Sequence, residues 1–379
     1  MAERMLVEPD VDFINTVMRQ GGEDLKKCYQ CATCSVVCEL SSTDGVFPRK
    51  EMILAQWGMK DKLIGDPNVW LCHQCNDCSK HCPRGARPGD VLAGIRSYVY
   101  ENFGFPSFMG KLLGSPKALP GLLIGILVMF FGLLYAIHGA SFGFDIQNLR
   151  DVGYAEFLPH IWAEGLFVTG NVIIFLFAAV GFLRFWGKMK ESNGGNAPGM
   201  IGSIISVLPD VIFHKRFSQC GENKPRYIAH MLVLFGFIGA AATAGLAVFF
   251  TVFVPIVESP IAVLNPIKLL GISSGIALIV GAWIMLSRRN SQTDSVGADG
   301  YSDKVFLYMI FLVSVTGMAT YLIRLTDISV LGHAVYLVHL VFVFYLLWFM
   351  PYSKFAHMIY RMLGMAFAKG TAGSNGKAN

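Results

Sequence analysis

From about residue 118 the chain alternates long apolar runs with short polar ones. Six runs, at about 119–138, 160–183, 228–254, 267–286, 304–323 and 331–350, each hold the roughly 20 residues a helix needs to cross a bilayer. Before residue 105 the pattern differs: charged positions are frequent and apolar runs are short. There the periodicity predicts a helix over Val11–Met18 that ends at Gly21–Gly22. A second follows Pro48 through RKEMILAQW and stops at Gly58, and a third runs from Pro88 through DVLAGIRSYVYENF. Strand-like alternation is absent from this reading. The expected fold is all-α, with a helical domain at 1–105, a six-span membrane domain at 106–360 and a tail at 361–379.

Composition agrees with a membrane protein. Hydrophobic residues make up 54% of the 379 and charged residues 15%, too apolar for an ordinary soluble protein. The loops then set orientation, because cytoplasmic loops collect Lys and Arg. Segment 184–227 carries Arg184, Lys188, Lys190, Lys215, Arg216, Lys224 and Arg226, whereas 251–266 carries Glu258 and no cation. The expectation is a multi-pass protein of the cytoplasmic membrane with both termini in the cytoplasm. The lipid bilayer is its partner, and nucleic acid is not.

The chemistry of the first domain lies in its cysteines. Two runs, CYQCATCSVVC and CHQCNDCSKHCP, share the spacing C-x2-C-x2-C-x3-C and hold eight of the nine cysteines. This is the ligand pattern of a two-cluster ferredoxin, in which three close thiolates wrap one cubane and the fourth reaches the other. Cys28, Cys31, Cys34 and Cys82 are thus assigned to one [4Fe-4S] cluster, and Cys72, Cys75, Cys78 and Cys38 to the second. Structural zinc is the competing reading, but zinc motifs pair two C-x2-C halves across a longer gap. Disulfides need an oxidising compartment, and the start MAERMLVEPDVD lacks the regions of a signal peptide. Tyr29, Trp57, Trp70 and Leu71 are candidates to cover the clusters. His73 and His81 are expected to face solvent.

Histidines carry the second chemistry. Ionisable residues inside a membrane are costly and mark functional sites, and haem b in a helical bundle needs axial nitrogens from facing helices. His230 near the start of the third span and His357 after the sixth come out at one depth, so they are paired as ligands of one haem. His339, eighteen residues before His357, would lie roughly 27 Å away on the same face if one helix continued through Pro351. It is assigned to a second haem with His160 as partner; His138 and His333 are rivals. His214 is expected to lie in a headgroup-level loop, and Cys220 to be a free thiol.

The first cysteine run, the FPRK segment and the second run resemble the iron–sulfur C subunit of heterodisulfide reductase. The later spans resemble the cytochrome b (E) subunit of that enzyme and the gamma subunit of respiratory nitrate reductase. On that resemblance His339 and His357 match the paired haem histidines of the last helix, and His230 one of the pair on the second. The other falls near Ala240, which implies one haem or a second with a different ligand. A fusion of both modules resembles the C subunit of the quinone-interacting membrane-bound oxidoreductase (Qmo) family.

The resemblance implies a protein passing electrons between menaquinone and soluble partners in dissimilatory sulfate reduction. Those partners would be heterodisulfide reductase A-like flavin/iron–sulfur proteins (the Qmo A and B subunits) and adenylylsulfate reductase. A heterodisulfide- or sulfite-linked menaquinol oxidoreductase is the alternative within the redox class, and a zinc-stabilised membrane scaffold or sensor the alternative outside it. Lys268, a lone cation at the outer start of the fourth span, runs against the positive-inside rule. It matches the quinone-linked lysine that the resembled gamma subunit places there. Lys268 and Glu164, with His160 near, are the expected quinone site.

Overall fold

The computed structural model describes residues 8–41, 46–139, 153–213, 224–257, 261–291, 300–326 and 329–375. His214 and Cys220 lie outside them. Among the described residues there is no β-strand.

The first unit is built from short helices around one long one. Asp10 caps α1 (Val11–Val17) by accepting the Phe13 amide at 2.8 Å and an ion pair from Lys60 at 3.0 Å, which together hold its carboxyl below its ordinary range. Next come α2 (Thr33–Val36), α3 (Arg49–Gln56), α4 (Lys60–Ile64), α5 (Asn68–Leu71) and α6 (Asp77–Lys80). The long helix is α7 (Pro88–Phe103), with proline in its first turn. It buries Val91, Leu92, Ile95 and Val99, an i, i+3/i+4 stripe facing the core. Gly94 brings it against α1: a Cβ there would meet the Val17 carbonyl at 2.7 Å. The expected helices are present, with ends within a few residues.

After α8 (Ser107–Leu113) come the membrane elements. The spans are α9 (Ala118–His138), the segment His160–Ser192, Pro225–Phe253, Pro266–Ser291, Tyr301–Arg324 and Val330–Trp348. Each is long and apolar enough to cross a bilayer, so this is a multi-pass membrane protein. Before the second span lies α10 (Tyr154–Phe157). That span itself joins α11 (His160–Glu164), a π-helical turn and α12 (Gly170–Ser192). A shorter apolar helix, α13 (Met200–Phe213), follows it. The later spans are α14 (Lys224–Val248), α15 (Pro266–Ser291), α16 (Tyr301–Arg324) and α17 (Ser329–Trp348). Gly236 and Gly239 on α14 face Ser274 and Leu278 of α15, where a Cβ would come as close as 2.2 Å. These two glycines therefore serve helix packing.

Two differences from the sequence reading matter. The last span stops at Trp348; Pro351 lies in a 3-10 turn, Ser353 is extended and caps a second one, and His357 opens a separate helix, α18 (His357–Asn375). Proline cannot donate the helical bond and its ring clashes with the preceding turn, so His339 and His357 do not share one helix. Residues 361–375, expected as tail, belong to α18, and Leu363, Ala366 and Phe367 pack into the first unit's core. Trp70, 1% exposed, stacks on Tyr360 (5.4 Å, 22°) and meets Phe185 of the second span edge-on at 5.3 Å. The cysteine unit and the bundle share one hydrophobic core.

Candidate functional site

The two cysteine runs fold alike. In each, the residues flanking the middle cysteine have positive φ: Gln30 (61°) and Ala32 (68°) around Cys31, Gln74 (54°) and Asn76 (68°) around Cys75. None is glycine, and each such residue costs of order 1 kcal/mol. Ala32 and Asn76 then lead into α2 and α6, which pack against each other. The Gln74 amide donates to Cys72 Sγ and the Ala86 amide to Cys82 Sγ, both at 3.3 Å.

The thiols form two neighbourhoods. Cys82 lies within electrostatic reach of Cys28 and Cys34, beside Cys31. Cys38 lies near Cys72 and, with Cys72 and Cys75, around Cys78. Burial pushes Cys34 up to about 11 and Cys75 up to about 12, and raises Cys78 further. Cys31 is lowered, chiefly by the Thr33 hydroxyl. Thiols pushed up in this way keep their protons until a metal displaces them. Repeated strained turns and amide donors to sulfur are what a thiolate-bound cluster asks of its protein, and two [4Fe-4S] clusters fit these loops. Of the aromatic candidates, Tyr29 and Trp57 are exposed at 68% and 57%, and Trp70 belongs to the shared core.

Residues of the second loop and of the bundle together line a cavity of about 830 Å³, within the roughly 300–1,000 Å³ range of cofactor and ligand sites. Cys72, His73, Gln74 and Cys75 line one side; His230 from α14 and His357 from α18 line another. His357 Nδ1–H donates to the Lys354 carbonyl at 2.6 Å. That bond fixes the tautomer and leaves Nε2 to act as a ligand. Burial, with Lys354 beside it, holds the ring's pKa down at about 4, so the imidazole is neutral at pH 7. Two helices thus each bring an imidazole, the donor type a haem iron takes, to one cavity.

The other expected residues fall elsewhere. His339 lies outside the cavity lining. Its Nδ1 is 3.1 Å from Thr316 Oγ1, whose own hydrogen goes to Leu312 and Val313 carbonyls, and its ring lies against Gly317. His160 is half-exposed and pairs with Glu164 one turn on, at 3.6 Å. His138 donates to the Phe157 carbonyl at 3.0 Å, and buried His333 packs on Tyr154 and Phe157. Lys268 Nζ sits 4.4 Å over the Tyr321 ring, a cation–π contact. His81 is exposed as expected, but His73 is not a free solvent-facing residue. Its Nδ1 accepts from Arg361 at 2.7 Å. The arginines around the second loop were missed, although Arg226 and Arg361 each lie four residues from a cavity histidine, a helical-face spacing readable in the sequence.

Residues 24–86 match the family described as 4Fe-4S dicluster domain. The matched segment contains both cysteine loops. The C subunit of the H2:CoB-CoM heterodisulfide, ferredoxin reductase of Methanothermobacter marburgensis is 32% identical over 106 residues, 28% of this chain and 57% of that one. An Archaeoglobus profundus protein similar to the C subunit of heterodisulfide reductase is 32% identical over 108 residues, again 28% and 57%. The chain thus spans little more than half the length of these relatives. Citrate utilization protein B of Escherichia coli is 23% identical over 376 residues, 94% of this chain and 91% of that one. No solved structure matches.

Proposed function

We propose that this protein is the membrane subunit of a quinone-linked oxidoreductase, carrying electrons between menaquinone in the bilayer and soluble partner proteins. The similarity to heterodisulfide reductase C subunits supports iron–sulfur electron transfer. The observation that carries the membrane half is the cavity in which His230 and His357 face the loop of Cys72 and Cys75. Cys28, Cys31, Cys34 and Cys82 would hold one cluster and Cys72, Cys75, Cys78 and Cys38 the other. His230 and His357 would hold haem b; His339, with a ring nitrogen uncommitted by its Thr316 bond, would serve a second haem. When bound, these groups supply one-electron carriers. The residues of the chain would orient them and keep His357 neutral.

The soluble side, which we take as cytoplasmic, would dock heterodisulfide reductase A-like flavin proteins and serve adenylylsulfate reductase. The full-length similarity to the citrate utilization protein favours a second reading of that end, with the same path serving citrate use. The far side, with Lys268, Glu164 and His160, would receive the quinone.

The haem reading is tested on purified protein by pyridine haemochrome assay and reduced-minus-oxidised spectra. His230→Ala and His357→Ala should each remove the same haem, because one iron needs both axial bonds. Full haem content in either variant rejects the pairing. Reduction of the clusters by candidate soluble donors separates the sulfur and citrate readings.

A further inference from the structure

Two arginines tie the second cysteine loop to the helices that carry the cavity histidines. On α14, Arg226 precedes His230 by four residues; on α18, Arg361 follows His357 by four. Residues at that spacing share a helix face one turn apart, so each helix offers the cavity a histidine and, one turn nearer the loop, a guanidinium. Both arginines line the same cavity as both histidines. Their bonds go to adjacent residues of the loop. Arg226 Nη1 donates to the Gln74 carbonyl at 2.6 Å, and Arg361 Nη2 donates to His73 Nδ1 at 2.7 Å. Arg96 of α7 completes the grip, donating to the Val69 carbonyl at 3.1 Å and to Gln74 Oε1 at 3.4 Å. Cys72 lies within electrostatic reach of both Arg226 and Arg361.

We propose that Arg226 and Arg361 are positioning residues that clamp the Cys72–Cys78 loop onto the two histidine-bearing helices and raise the reduction potential of the cluster that loop holds. The physical basis is charge. Reduction adds a negative charge beside two cations that are partly withdrawn from solvent at the cavity wall, where attraction is stronger than in bulk water. Net charge and hydrogen bonding around the sulfurs are established levers on cluster potential. An arginine fork also fixes direction, because two bonded guanidiniums on different helices restrict the loop's movement relative to the bundle.

This inference rests on the cluster half of the proposed function and is independent of the haem, so the two fail separately. Its test is redox titration of the full-length protein followed by electron paramagnetic resonance. In Arg226→Gln and Arg361→Gln the ratio of reduced to oxidised second cluster at fixed poise should fall about tenfold, ~59 mV for a one-electron couple. The first cluster's titration should stay in place, and Arg→Lys variants should recover most of the shift. Unchanged titration in both Gln variants at normal iron content would overturn the tuning role. If a Gln variant loses iron, His73→Ala removes Arg361's acceptor while keeping both charges. That variant should hold its potential but exchange amide hydrogens faster across residues 72–78; unchanged exchange would overturn the clamp.

Discussion

Glu51 is a carboxylate placed where a carboxylate is poorly served. It is 1% exposed on α3, and neither oxygen has a hydrogen-bond partner among the described residues. Burial, with Asp66 beside it, pushes it up from 4.5 to about 7. The folded protein therefore binds a proton that the unfolded chain has released, between about pH 4.5 and 7. Over that window stability falls as pH rises, and above about 7 the loss is complete. Glu51→Gln should stabilise the protein by on the order of 3 kcal/mol at pH 8 and hardly at pH 4. Thermal denaturation at the two pH values checks this, and an equal gain at both would refute the burial argument. The position was not legible in the sequence, where Glu51 reads as one more polar residue in RKEMILAQW. Its cost depends on which face α3 turns inward. His73 was misread for a similar reason: its partner Arg361 is 288 residues away, and local spacing carries no trace of that bond.

At the scale of elements, the pair α2 and α6 explains the two thiol neighbourhoods. Each four-residue helix follows a strained turn and ends just before its run's fourth cysteine, Cys38 or Cys82. Because the helices pack against each other, each fourth cysteine emerges beside the other loop. Cys82→Ser should abolish most of the signal of the cluster bound by Cys28, Cys31 and Cys34 and spare its neighbour. Loss at the Cys72 cluster instead would uncross the assignment. This repeat was plain in the sequence, since thiol spacing is itself the ligand geometry. The six spans were plain too, because lipid demands unbroken apolar length. Helix α13 was not, being too short to cross and flanked by cations. Nor was α18: Ala- and Gly-rich after residue 364, it reads as tail and becomes helical against a core supplied by distant residues.

For the whole molecule, the proposed electron path has two ends to locate. The far end rests on Lys268. It lies on Tyr321, five residues from Thr316, the residue that bonds His339, hence about 7.5 Å along one helix. If quinol binds there, Lys268→Ala should slow quinol oxidation at least several-fold with haem and cluster spectra unchanged. Wild-type turnover with a menaquinol analogue would move the quinone pocket to the cluster side of the bundle. At the near end, the described residues of the cysteine unit and the bundle meet without a hinge. Trp70 lies between Tyr360 and Phe185, and a Cβ on Gly364 would sit 2.7 Å from the Trp70 side chain. Electron tunnelling decays exponentially with the width of the gap, so a swinging domain would make the rate flicker with each excursion. Interlocked rings rather than a tether hold the cysteine unit against the bundle, so a carrier in each would keep a fixed separation.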